Sequence, residues 1–190
     1  MGLPAHWAIV ACLLALGSHG TIAQHEQRTT TVILVRHAER EQLGSPDPPL
    51  TAAGRLRAHE LLTALRAAGI QTIIVTQSSR TAATAQPLAA ALAIKPQIIP
   101  DTGANHAADV ARVILQQHAG ETVLVVGHGH TVPAIMRALG ATIEEPTLCE
   151  TQYDLLFVVS ITPAQRAAVV RARYGAVASA DTACTIRRGR

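Results

Sequence analysis

Aromatic side chains are almost missing from this chain: its 190 residues include one Trp, one Phe and two Tyr. That excludes a core built on rings, and it excludes a surface that stacks nucleic-acid bases. Lysine is missing too, apart from Lys95, so nearly all of the 16 basic residues are Arg. No basic stripe runs along any segment; Arg187-Arg188-Gly189-Arg190 reads as a solvated tail, and no nucleic-acid partner is expected. The 3 cysteines show no CxxC spacing, which excludes a zinc-ribbon framework. No apolar run is long enough to span a bilayer, which takes about 20 residues.

The longest apolar run, WAIVACLLALG from Trp7 to Gly17, instead suits the core of an export signal. Thr21-Ile22-Ala23 offers a cleavage site before Gln24, so residues 1–23 are expected to be a signal peptide. No Lys or Arg precedes the run, and an uncleaved anchor is the alternative. The expected product is secreted or periplasmic, with no stable membrane association once the signal is removed. Export would leave Cys149 and Cys184 in an oxidising compartment. Their spacing does not decide between a disulfide and two buried thiols.

What is present is aliphatic: 48% of residues are hydrophobic and 15% charged, enough apolar material for one compact domain. From about Arg28, short β-branched runs alternate with Ala/Leu-rich segments. TVILV (31–35), TIIVT (72–76), TVLVV (122–126), 155–161 and 167–172 read as strands, with 97–99 a shorter one. Helices are predicted from Thr51 to about Ala68, from near Arg80, over 107–118 and over 131–139. Pro87 is expected to kink the second of these or delay its start. Unbroken apolar strands separated by helices imply a three-layer α/β fold, a mostly parallel central sheet with helices on both faces. The domain spans residues 28–174, and residues 175–190 are read as a tail without regular structure.

Three segments carry chemistry. Arg36-His37-Ala38-Glu39 follows the first strand, Gln77-Ser78-Ser79-Arg80 the second, and Gly127-His128-Gly129-His130 the TVLVV strand. Each lies just past a strand's carboxyl end, where open α/β sheets bind ligands. Arg side chains clamp oxyanions through paired N–H donors, and a neutral imidazole between them is a nucleophile for phosphorus. A second histidine, if protonated, stabilises charge on a transferring phosphoryl group. Taken singly, each residue has a bland structural reading; three strand ends bearing them together point to one phosphate site.

These segments resemble the histidine phosphatase (phosphoglycerate mutase-like) superfamily. LVRHAER, Leu50-Thr51-Ala52-Ala53-Gly54, Ser78-Ser79-Arg80-Thr81-Ala82 and VVGHGHT occur in that family's order and spacing. The resemblance implies a phosphoglycerate mutase-like fold. It implies His37 as the phosphorylated nucleophile, Arg36, Arg80 and His128 as the phosphate pocket, and no metal or organic cofactor. Ala38 stands where the family commonly has glycine. The family's proton donor is an acidic residue after the third strand or beside the second histidine, and no Asp adjoins His128. Asp101 is the first candidate and Glu39 the second. Asp101 also reads as a loop or capping residue, and Glu39 as the partner of a nearby Arg.

The expected activity is hydrolysis of phosphate monoesters, with a small molecule or a phosphoprotein as the ester. A mutase-type phosphotransferase and a catalytically weak phosphate-binding relative are the alternatives. Little chain separates Pro100 from TVLVV, leaving small room for the loops that a mutase closes over its site. A metallohydrolase using His128, His130 and His37 is opposed by Arg36 and Arg80, which would repel a cation.

Overall fold

A computed structural model describes residues 28–42, 44–144 and 147–177. The expected signal peptide of residues 1–23, Cys184 and residues 178–190 of the expected tail lie outside these residues. The six strands are β1 (Thr30–Arg36), β2 (Thr72–Val75), β3 (Gln97–Ile98), β4 (Thr122–Gly127), β5 (Leu155–Ile161) and β6 (Ala167–Arg173). Four helices intervene: α1 (Ala52–Leu65), α2 (Ser79–Leu92), α3 (His106–Gln117) and α4 (Thr131–Ala138). The strands form one sheet in the order β3-β2-β4-β1-β5-β6. β3, β2, β4 and β1 run parallel, while β5 and β6 turn back antiparallel beside β1.

The alternation of side chains across a strand divides each apolar run between two cores. Val32 and Leu34 of β1 face one core with Val110 and Ile114 of α3 and Ile135 and Met136 of α4. Ile33 and Val35 face the other, with Leu61 of α1 and Leu88 of α2. Both faces of β1 are thus covered, which is why TVILV carries no polar alternation. β6 is an edge strand, and its mostly exposed residues include Arg171 and Arg173.

The predicted elements are all present, with one local difference. Pro87 does not delay the start of α2, which begins at Ser79 and continues through the proline to Leu92. Buried Thr84, Ala85, Leu88 and Ala89 lie on both sides of Pro87, so packing on one face outweighs the proline's lost hydrogen bond. No helix of the described residues is long and apolar enough to cross a membrane.

Register fixes where the chemistry falls. Arg36 pairs with Gly127 across β1 and β4, and Val75 pairs with Val126 across β2 and β4. The carboxyl ends of the three strands therefore stop at one height, and the His37 amide donates to the Gly127 carbonyl at 2.9 Å.

Candidate active site

The turn after β1 is braced from below. Thr51 caps α1, its hydroxyl accepting from the Gly54 amide at 3.0 Å, and its own amide donates to the Glu39 carbonyl at 2.9 Å. A Cβ on Gly54 would lie 2.1 Å from that same carbonyl oxygen, so only glycine lets α1 approach this closely. The LTAAG segment thus supports the loop that holds His37.

His37 is buried, 3% exposed. Its Nδ1 lies 2.8 Å from the Ala38 carbonyl, which can only accept, so Nδ1 carries the proton and Nε2 keeps its lone pair. Burial is the largest effect on its basicity and pushes its pKa down to about 3, with the charges of Arg36, Arg80 and Arg40 adding to the shift. The Ala38 hydrogen bond opposes it. The imidazole is neutral at any ordinary pH.

His128 lies edge-on to it, ring centroids 5.3 Å apart. Arg80 Nη2 donates to His128 Nδ1 at 3.4 Å, so the ring's proton sits on Nε2 and goes to the Thr76 hydroxyl at 3.0 Å. Thr76 contacts the Thr81 hydroxyl at 3.1 Å, and Thr81 donates to the Ser78 carbonyl at 2.8 Å. This run of donors fixes the His128 tautomer. His128, like His37, is neutral here. Burial first, then the neighbouring His37 and Arg80, lower its pKa to about 3, against the opposing pull of Asp101.

The two predicted arginines flank these rings, each tied to a carboxylate that sequence reasoning missed. Arg36 Nη1 donates to the carbonyls of Cys149 at 2.7 Å and Glu150 at 3.0 Å, and Nη2 to Glu150 Oε2 at 2.9 Å. Its guanidinium lies 4.3 Å from the Tyr153 ring centroid. Gly129 has no Cβ, which leaves room for that guanidinium and the Leu148 carbonyl. Cys149 is disulfide-bonded. Arg80 Nη1 donates to Asp47 Oδ1 at 3.1 Å. The Asp47 carboxylate also accepts from the Ser79 amide at the start of α2, and this backbone hydrogen bond is the main reason its pKa is lowered. Both Arg36 and Arg80 have a buried Nε–H with no partner. Neither Asp47, in a Pro-rich loop, nor Glu150, before β5, carries a sequence pattern that marks it. Thr76 does sit at a legible position, the residue after β2.

The two acid candidates part company. Glu39 is bound bidentately by buried Arg57, with Nε to Oε1 and Oε2 at 2.9 and 3.0 Å and Nη2 to Oε1 at 2.8 Å. Its carboxylate serves that ion pair and does not line the cavity. Asp101 is held by Gln77, whose side-chain oxygen accepts from its amide at 2.7 Å. Its Oδ2 lies 3.2 Å from Nε2 of His130, and His130 stacks on His128 with ring centroids 5.8 Å apart. Asp101 therefore meets the cavity through His130.

The cavity has a volume of about 310 Å³, and its walls include Arg36, His37, Arg40, Arg80, His128 and His130. Among the described residues, no group of three or more His, Cys, Asp or Glu could hold a metal ion.

Residues 32–103 match the sequence model of the histidine phosphatase superfamily, branch 1. No curated protein matches the chain. Among solved structures, the mycobacterial glucosyl-3-phosphoglycerate phosphatase superposes with a TM-score of 0.60 at 16% identity, covering 75% of this chain and 97% of its own. A protein histidine phosphatase, SixA, solved with tungstate, gives 0.59 at 17% identity, covering 75% and 96%. Phosphoserine phosphatase of Entamoeba histolytica gives 0.57 at 17%, covering 76% and 96%. At these identities the likeness establishes the fold, with its sheet and helices in the same arrangement. The matched segment, which contains Arg36, His37 and Arg80, is thus similar to the histidine phosphatase superfamily, and the chain shares the fold of these phosphatase structures.

Proposed function

We propose that this chain is a phosphatase that hydrolyses phosphate monoesters through a phosphohistidine on His37. One observation carries the reading: a buried, neutral imidazole with Nδ1–H engaged and Nε2 free, set between two arginines that each retain a buried, unpartnered Nε–H. Arg36 and Arg80 would clamp the phosphate oxygens as Nε2 attacks phosphorus and the bond to the leaving oxygen breaks. Water then attacks phosphorus, breaks the P–N bond and releases inorganic phosphate. His128 sits where a dianion would raise its pKa and draw a proton onto the ring.

The leaving oxygen takes its proton from the Asp101–His130 pair, since Glu39 is committed to Arg57. Hydrolysis is favoured over phosphotransfer because the cavity is wet at its rim: the side chains of His130 and Glu150 are 69% and 79% exposed. The relatives act on small phosphate esters or on phosphohistidine in proteins by their names, and either class suits the site chemically.

The test is turnover of a panel of alkyl and aryl phosphates, with rapid quenching to trap phosphohistidine. Wild type should label on His37 and turn over, and His37→Ala should lose at least about 10³-fold in kcat with no label. Undiminished turnover by His37→Ala would sink the proposal.

A further inference from the structure

Arg40 is the third guanidinium of the cavity, and the steps above make no use of it. Arg36 and Arg80 each hold a carboxylate, Glu150 and Asp47. Among the described residues Arg40 makes no ion pair and no side-chain hydrogen bond, although it is half-buried.

Its position is fixed, not incidental. The backbone of Arg40 bridges Leu50, the Glu41 amide donates to the Pro49 carbonyl at 2.9 Å, and the Thr51 amide to the Glu39 carbonyl at 2.9 Å. Residues 39–41 and 49–51 thus form a short ribbon, and Ser45, Pro46 and Pro48 of the loop between them line the same cavity. A guanidinium presented from a hydrogen-bonded ribbon gives up less freedom on binding than one on an untethered loop. Arg40 lines the cavity together with Arg36, His37 and Arg80. The cavity, about 310 Å³, falls at the lower end of volumes that take a whole small molecule, about 300–1,000 Å³.

We propose that Arg40 is a specificity-determining residue that binds a second anionic group on the substrate. The esters taken here are then phosphate monoesters bearing a carboxylate or a further phosphate a few bonds from the ester oxygen. The inference rests on the phosphate pocket proposed above and names what that pocket selects.

Binding separates the two ideas. Propyl phosphate, 2-carboxyethyl phosphate and propane-1,3-diyl bisphosphate are titrated into His37→Ala protein by calorimetry, where no turnover intervenes. The two esters with a second anion should bind about tenfold more tightly than propyl phosphate, as one charge-assisted contact at a half-exposed site would give. Adding Arg40→Gln should bring the three to within about twofold of one another, and adding Arg40→Lys should keep part of the preference. Equal binding of all three esters to His37→Ala protein, or a preference that survives Arg40→Gln, overturns the inference and leaves the phosphatase reading standing. If none of the three binds and wild type turns none over, both fall together.

Discussion

Replacing Glu39 with alanine should cost stability and spare chemistry. The carboxylate holds the guanidinium of Arg57, a residue only 4% exposed, through three contacts of 2.8–3.0 Å. Its removal leaves a buried cation without its counter-charge, which in a fully buried pair costs about 3–5 kcal/mol. Glu39 keeps 23% side-chain exposure, and Glu60 also favours the charged form of Arg57, so the lower end applies, about 3 kcal/mol. For a domain of this size each kcal/mol moves Tm by about 2–4 °C, giving a fall of about 6–12 °C. Differential scanning calorimetry reads that fall, and the rate is then measured well below the transition. The substrate must be an alkyl phosphate, because a nitrophenolate leaves without help from an acid. Loss of a general acid lowers such a rate by about 10²–10⁴-fold. Asp101→Asn should show that loss, while Glu39→Ala should stay within a few-fold of wild type. A Glu39→Ala protein with unchanged Tm and a hundredfold lower rate would refute the assignment and make Glu39 the donor.

Acid should destabilise the fold through its two central histidines. His37 and His128 have pKa values of about 3 in the folded chain, against about 6.5 unfolded. Between those values the unfolded chain binds protons that the native state refuses. Their contribution is therefore complete above about pH 6.5 and is lost as pH falls toward 3, at up to about 1.4 kcal/mol per pH unit for each ring. Urea midpoints at pH 7, 5.5 and 4.5 should decline along that course, less steeply in His128→Asn; equal slopes in the two proteins would contradict the assignment. Gly54→Ala tests the brace under the His37 turn. Helix propensity alone would have alanine stabilise α1 by about 1 kcal/mol. The 2.1 Å approach to the Glu39 carbonyl reverses the sign, to a loss of about 2–3 kcal/mol by urea denaturation.

The sheet was legible because β1, β2 and β4 are covered on both faces, and continuous apolar runs with short helical connections have few other meanings. Arg36, His37, Arg80 and His128 were legible because each stands within a few residues of a strand end, a position that follows from topology alone. The course of α2 through Pro87 was not, since tertiary packing on both sides of the proline decides it. Nor were Asp47 and Glu150 as partners of the two arginines. They reach the site from irregular segments whose path depends on the finished fold. The adjacent glutamate, Glu39, misleads for a related reason. Nearness to His37 along the chain says nothing of direction, and its side chain turns to Arg57 on α1.

The position of β1 has a consequence for how the protein comes into being. The strand that leads into His37 lies early in the chain, yet both its neighbours are late: Thr31 pairs with Thr122 of β4, and Val35 with Leu156 of β5. No contiguous fragment from the first half can assemble the surroundings of His37. Pairing of this kind has high contact order, and the loop-closure entropy must be met before the contacts that reward it exist. The turn that holds His37 should thus remain unstructured on the ribosome until β5 has emerged, and then form together with the whole sheet. Truncation before β5 should leave no partially active product, only an unfolded chain.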